Sequence, residues 1–364
     1  MKKENEALYL TGNGEFKIAQ KPVPPLSSDE VLVRVYACGI CSSDIPRAFL
    51  KKAYHYPLVL GHEFSGTVVE IGSDVDPCLV GCNVTVYPLL PCFDCEQCRA
   101  RSYVSCKSYD YYGSRRDGGL SNYLVVKRWN VLPIPDGVSL LDASLTEPVA
   151  VGLHGLKRAG LFPLGERAIS VLVIGAGLIG LTCVDILRLK SPHIKVSIAD
   201  RNQYKLDFVH DPSVEQILID DSHPVYGLVS DNESAFDVVI EATGAPALFE
   251  ASLLLTKPRG TTLWIGNIAG DLCLPERIVS KILRKELRII GTWNSDYFGP
   301  ESSDWTDVLD MMSMGLSPSR YITDLADFRS VATKMKKFHL RKSDFTASNM
   351  LKIVGLIDDV ERTY

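Results

Sequence analysis

Apolar and polar positions follow two textures along the chain. Over roughly the first 150 residues they alternate in short runs. Glu30-Val31-Leu32-Val33-Arg34-Val35-Tyr36-Ala37 and Gly66-Thr67-Val68-Val69-Glu70-Ile71-Gly72 show the period-two pattern of half-buried strands. Gly12, Gly14, Pro22, Pro24 and Pro25 punctuate the N-terminal part. Short strands broken this often predict an all-β half, a small barrel. From about Leu141 the pattern becomes helical and then alternates strand with helix. Val171–Gly175, Lys195–Asp200, Gln216–Ile219, Phe236–Ile240 and Thr261–Gly266 are predicted parallel strands, and Pro246–Leu255 suits a crossover helix. After about Gly291 the chain turns polar and helical again, and Asn349–Ile357 predicts a last strand. The fold class expected is α/β, with a doubly wound parallel-sheet domain over 154–294 inserted between two parts of a β domain, 1–153 and 295–364.

The stretch Val171-Leu172-Val173-Ile174-Gly175-Ala176-Gly177-Leu178-Ile179-Gly180 organises that inserted domain. A short β-branched run meets three glycines, and an apolar helical pattern follows, which is the context a dinucleotide fingerprint needs. Gly175 permits the turn, Gly177 lets backbone approach a pyrophosphate, and Gly180 lets the helix pack on the strand. The N–H groups opening that helix attract phosphate oxygens. The next predicted strand ends in Asp200, placed to accept hydrogen bonds from ribose hydroxyls and to repel a 2′-phosphate. Arg201 partly offsets the repulsion, so NAD is the favoured cofactor. Gly175, Gly177, Leu178, Ile179, Gly180, Asp200, Arg201 and Thr243 form the expected cofactor set.

At 364 residues the chain is long enough for two domains, and its formal net charge of -5 argues against a nucleic-acid partner. No apolar h-region follows the charged start Met1-Lys2-Lys3-Glu4-Asn5-Glu6, so no signal peptide is expected. No apolar run approaches the roughly 20 residues of a membrane span. The ten cysteines could suit a secreted disulfide scaffold, but four crowd into one loop, which without an export signal reads as metal binding in the cytoplasm.

Cys92, Cys95 and Cys98, closed by Cys106, are the strongest metal pattern in the chain. Four soft thiolates match tetrahedral zinc with no open position, a structural site; the final spacing is longer than the compact ferredoxin run. A second, looser set comprises Cys41 after a strand, His62 and Glu63 after the turn at Tyr56-Pro57, and Glu147. Singly, Cys41 could be core, His62 a turn histidine and Glu147 a helix N-terminal charge. Together a thiolate, an imidazole and a carboxylate describe a catalytic zinc with one position open.

The motifs CGICSSD, GHEFSG, EPVAVGLH and GAGLIG, with the four-cysteine lobe, resemble the zinc-dependent medium-chain dehydrogenase/reductase family over essentially the whole chain. The resemblance implies a GroES-like β-barrel catalytic domain joined to a Rossmann domain. It implies Cys41, His62 and Glu147 as catalytic zinc ligands, with Glu63 as an alternate ligand or an orienting group. Cys92, Cys95, Cys98 and Cys106 would be the structural ligands, Asp44 would hold the far nitrogen of His62, and Ser43 would hydrogen-bond the alcohol. Glutamate at 147, where alcohol dehydrogenases carry cysteine, points to the polyol branch, similar to sorbitol dehydrogenase. Segments 87–93, 113–119 and 281–287 resemble the galactitol-1-phosphate dehydrogenases of that branch, implying oxidation of galactitol 1-phosphate to tagatose 6-phosphate. Arg47, Arg115 and Arg116 are then the candidate phosphate ligands, since a guanidinium fork suits a pair of phosphate oxygens. A dehydrogenase for an unphosphorylated polyol, or for another polyol phosphate, is the nearest alternative, and a non-catalytic NAD-binding protein is a third. Relatives suggest a homodimer or tetramer.

Overall fold

Strand Glu30–Ile40 is the spine of the β half, because apolar side chains on both its faces are buried. In this computed structural model, which describes residues 4–162, 168–219, 228–229, 232–342 and 349–357, one edge of that strand pairs antiparallel with Glu63–Ile71. Its other edge is shared. Tyr123–Lys127 pairs with residues 30–34, and Lys352–Leu356 with residues 37–40. The sheet extends through Asn83–Val86 to Val131–Pro133 on one side and through Lys352–Leu356 to Ile322–Asp327 on the other. A three-stranded sheet of Glu15–Gln20, Glu6–Gly12 and Leu58–Val59 shares its core, in which Leu10 and Leu58 meet Val33, Phe64 and Val84. The expected small barrel is thus built from two sheets around one core, antiparallel except where Ile322–Asp327 pairs parallel with Lys352–Leu356.

The chain divides into two units, residues 1–147 with 296–364, and residues 148–295. The domain boundary expected at 153/154 lies inside helix Thr146–Arg158, which the division cuts after Glu147. The second unit is a six-stranded sheet in the order Glu215–Leu218, Lys195–Asp200, Ser170–Ile174, Phe236–Glu241, Thr256–Trp264, Arg288–Gly291. Every neighbouring pair is parallel. Val171 to Ile174 are fully buried, as expected where helices cover both faces of a parallel sheet. The strand order reverses between Ser170–Ile174 and Phe236–Glu241, the place where doubly wound sheets bind ligands.

Two strands depart from expectation. Thr256–Trp264 begins earlier than the predicted Thr261, because Lys257-Pro258-Arg259-Gly260 reads as a loop yet stays within the strand. Arg288–Gly291 was not predicted at all; it is four residues long, lies at the sheet edge and is largely exposed, so it carries no apolar alternation. Helix Pro246–Leu255 forms as the pattern predicts. Among the described residues no helix is long and apolar enough to cross a membrane.

Helix Pro246–Leu255 runs directly into a strand without a terminating glycine, so its last carbonyls need another donor. Buried Lys285 supplies it, with Nζ donating to Leu254 O at 2.7 Å and Thr256 O at 2.9 Å. Burial holds the Lys285 pKa below the usual lysine value. Replacing Lys285 with Met should destabilise this unit by about 2 kcal/mol, since buried carbonyls lose a charged donor. Urea unfolding with unchanged stability would contradict that account.

Candidate active site

The cysteine lobe follows strand Leu89–Leu90 and folds around its own sulfurs. The Sγ atoms of Cys92, Cys95, Cys98 and Cys106 all lie within 4.8 Å of one another. Cys92–Cys98 and Cys95–Cys106 are each separated by 3.9 Å. A tetrahedron of zinc–sulfur bonds of about 2.3 Å has edges of about 3.8 Å, so the set fits one ion. Backbone N–H groups already face the sulfurs: Cys95 N donates to Cys92 Sγ at 3.4 Å and Cys92 N to Cys106 Sγ at 3.3 Å. Such donors pull the Cys92 pKa down to about 6, while burial pushes Cys98 up to about 12. Phe93 and Tyr103 grip Trp129 at ring separations of 5.0 and 5.6 Å and anchor the lobe.

The second set assembles at the end of the spine strand. Cys41, His62 and Glu63 place one ligand atom each within 4.8 Å of the others. Cys41 directly follows Glu30–Ile40, and its N–H donates to Asp44 Oδ2 at 3.0 Å at the start of helix Asp44–Phe49. Ser43 N donates to the Cys41 sulfur at 3.5 Å. Asp44 Oδ1 lies 3.5 Å from His62 Nδ1, which leaves Nε2 as the nitrogen for a metal. Burial would depress the His62 pKa, but the adjacent Asp44 and Cys41 outweigh it and hold it well above the usual value. Asp44 also accepts from Arg47 Nη1 at 3.2 Å, and the same nitrogen donates to Ser43 Oγ at 2.8 Å.

Glu147 lies outside the three-residue group, contrary to its expected rank ahead of Glu63. It is buried and accepts from Tyr111 Oη at 3.4 Å; burial raises its pKa to about 7. Glu63 is in the group because it pairs across the ladder with Gly39, close to Cys41. Its carboxylate crosses Gly39, where any Cβ would collide with it. Glu63 also forms a buried ion pair with Lys352, whose Nζ donates to Ile40 O at 3.0 Å. Lys352 and Tyr111 were not singled out from sequence. A lysine inside an apolar last strand was the only hint of the first.

In the second unit the fingerprint residues divide by what surrounds them. Gly175 has φ +109°, and a Cβ there would lie 2.7 Å from Thr243 Cγ2. A Cβ at Gly180 would collide with the Gly175 carbonyl oxygen. At Gly177 a Cβ would meet nothing within 4 Å, so packing does not explain that glycine, whereas a phosphate approaching the backbone does. Gly177 caps helix Leu178–Lys190, with Leu178 and Ile179 in its first turn. Asp200 accepts from Ala176 N at 2.8 Å and Asn202 N at 2.9 Å, which fixes its carboxylate beside the turn; Arg201 is exposed. Thr243 donates its N–H to Glu241 Oε1 at 2.8 Å and stands against the glycine turn.

The three arginines are held differently. Arg47 is engaged by Ser43 and Asp44, and Arg116 forms an ion pair with Asp110 at 2.7 Å. Arg115 instead lies between the rings of Tyr54 and Tyr109.

Residues 27–136 match the alcohol dehydrogenase GroES-like domain, and residues 179–314 match the zinc-binding dehydrogenase family. Galactitol 1-phosphate 5-dehydrogenase of Escherichia coli (strain K12) is 34% identical over 333 residues, covering 89% of this chain and 93% of that protein. D-altritol 5-dehydrogenase of Agrobacterium fabrum is 33% identical over 294 residues, covering 79% of this chain and 83% of that one. The crystal structure of galactitol-1-phosphate dehydrogenase from Escherichia coli superposes with a TM-score of 0.84 at 30% identity, covering 96% of this chain and 99% of that chain.

The contrast between the two glycines is testable. Gly180→Ala should destabilise the ligand-free protein by roughly 1–3 kcal/mol through overpacking. Gly177→Ala should leave its thermal melting unchanged and weaken dinucleotide binding. Equal melting losses in the two variants would remove the argument for a phosphate at Gly177.

Proposed function

Since the chain belongs to the zinc-binding dehydrogenase family with a GroES-like alcohol dehydrogenase domain, we propose that it is an NAD-dependent polyol-phosphate dehydrogenase. The reaction proposed is reversible oxidation of a secondary alcohol of galactitol 1-phosphate to tagatose 6-phosphate, in the cytoplasm. The observation that carries the dehydrogenase reading is the open donor set of Cys41, His62 and Glu63, with Asp44 behind the histidine. Cys41, His62 and Glu63 would hold zinc, which would supply Lewis acidity at an alcohol oxygen, with NAD as the hydride acceptor. Glu147 stands beside them on Tyr111, within electrostatic reach of His62. Ser43, bonded by Arg47, keeps its own proton for the substrate oxygen. Cys92, Cys95, Cys98 and Cys106 fill a tetrahedron, leaving no position for substrate, and serve the fold.

Gly175, Gly177, Leu178, Ile179 and Gly180 with Thr243 cradle the dinucleotide, and Asp200 selects NAD over NADP by its charge. The phosphorylated substrate is supported by the similarity to galactitol 1-phosphate 5-dehydrogenase. The similarity to D-altritol 5-dehydrogenase favours a second reading, an unphosphorylated hexitol as substrate. A homo-oligomer belongs to the same proposal, since Arg288–Gly291 is a sheet edge with Ile289 exposed. The complete donor set disfavours a non-catalytic NAD-binding protein.

NAD reduction measured across polyols and their phosphates decides between the two substrates. Activity confined to free polyols would overturn the phosphate reading, and no activity with any alcohol would overturn the dehydrogenase.

Metal analysis should find about two zinc ions per chain, with a chelator removing first the one that has an exchangeable ligand. Cys41→Ser should stay folded, hold one zinc and lose activity, whereas Cys95→Ser should fail to fold. A folded, fully active Cys95→Ser protein would refute the structural role.

Asp200→Ala should shift preference towards NADP by removing the repulsion while keeping Arg201. Equal use of both cofactors by the unaltered protein would contradict that role.

A further inference from the structure

The three candidate phosphate ligands, Arg47, Arg115 and Arg116, are separated by their neighbours. Arg47 is neutralised by Asp44 and Arg116 by Asp110. Arg115 has no carboxylate within ion-pair distance among the described residues. Its guanidinium carbon instead lies 4.1 Å from the Tyr109 ring centre and 4.7 Å from that of Tyr54. Its Nη2 makes a long 3.5 Å contact to the Tyr54 hydroxyl, and among the described residues its buried Nε finds no acceptor. A buried donor left unpaired costs free energy until an acceptor arrives.

The clamp is held from the backbone. His55 presents Nε2 to the Arg115 carbonyl oxygen at 3.2 Å and Nδ1 to the Pro57 carbonyl oxygen at 3.0 Å, which staples the Tyr54 segment to the arginine. Arg115 N donates to Tyr111 O at 3.0 Å, fixing the other side. The two rings orient the guanidinium without neutralising it, and its N–H groups suit a pair of phosphate oxygens. Ordering before binding lowers the entropy that a ligand must offset.

The position suits a ligand that also reaches the donor set. Tyr109 lies 6.3 Å from Tyr111, and Tyr111 lies 5.7 Å from the His62 ring. Three successive contacts, Arg115 to Tyr109, Tyr109 to Tyr111 and Tyr111 to His62, thus connect the guanidinium to the donor set, which suits a molecule whose anionic end and reacting carbon are several bonds apart.

We propose that Arg115, clamped by Tyr54 and Tyr109, is the specificity-determining residue that binds the phosphate of a phosphorylated polyol. This assignment rests on the polyol-phosphate reading and refines it. Arg47 positions Ser43 and Asp44, and Arg116 is bound to Asp110; neither takes the phosphate.

The test titrates the zinc-loaded protein with glycerol 3-phosphate by calorimetry and measures kcat/KM for a hexitol phosphate and its free hexitol. In Arg115→Gln, glycerol 3-phosphate affinity should fall about tenfold to hundredfold, and the ratio of kcat/KM for phosphorylated over free hexitol should fall by a like factor. Melting temperature and zinc content should match the unaltered protein. Tyr54→Leu keeps the charge and loses one wall, so it should lower affinity by a smaller factor; no loss would show that the clamp does not position Arg115. Absence of glycerol 3-phosphate binding to the unaltered protein, or equal binding to Arg115→Gln, overturns the assignment. If the unaltered protein prefers the phosphorylated hexitol and Arg115→Gln keeps that preference, Arg115 is excluded while the polyol-phosphate reading stands. If no polyol phosphate is oxidised, that reading fails, and the calorimetry still decides whether Arg115 forms an anion site.

Discussion

A buried ion pair, Glu63 with Lys352, ties the chain's last described strand to the first unit's active-site end. Both side chains are removed from water, so neither charge is tolerable without the other. The pair forms only because Lys352–Leu356 returns, after the whole second unit, to the far edge of the strand that delivers Cys41. Lys352 also caps the Ile40 carbonyl at 3.0 Å, immediately before Cys41. One ammonium thus fixes the carboxylate of one candidate ligand and the backbone leading to another.

The two cysteine-containing sets show what closure means for a metal site. In the lobe, four sulfurs at tetrahedral spacing exhaust the coordination of one ion, and backbone N–H groups stabilise the thiolates. At the spine end, one sulfur comes from the end of Glu30–Ile40, and the imidazole and carboxylate come from the neighbours His62 and Glu63, held by Asp44 and Lys352. The first arrangement is local in sequence and suits stability. The second depends on the Cys41 segment, the His62-Glu63 segment and the Lys352 strand meeting, so it exists only in the folded protein.

That difference decides how much could be read without coordinates. The cysteine lobe and the glycine turn were legible because their spacing is local, and strand Ser170–Ile174 was legible because burial on both faces leaves the apolar run Val171–Ile174. Thr256–Trp264 was read too short because a proline and a glycine inside it mimic a loop, and exposed Arg288–Gly291 carried no pattern. The Glu63–Lys352 pair was not legible, because Lys352 stands 289 residues away and carries no motif. Arg47, Arg115 and Arg116 looked equivalent as residue types. Only their neighbours, Asp44, two tyrosine rings and Asp110, distinguish them.

Charge bookkeeping around the open set points in the same direction as its geometry. Asp44 is balanced by Arg47 and faces His62, and Glu63 is balanced by Lys352. Cys41 and Glu147 then remain as acidic groups without a cation of their own, and burial raises the Glu147 pKa to about 7. A buried carboxyl in that condition is protonated or awaits a positive charge. A divalent cation held by Cys41, His62 and Glu63 would supply it. The balance around the set leaves Arg47 already matched to Asp44, whereas Arg115 carries a positive charge that no carboxylate of the described residues has claimed, so of the two it is the cation open to an anionic group.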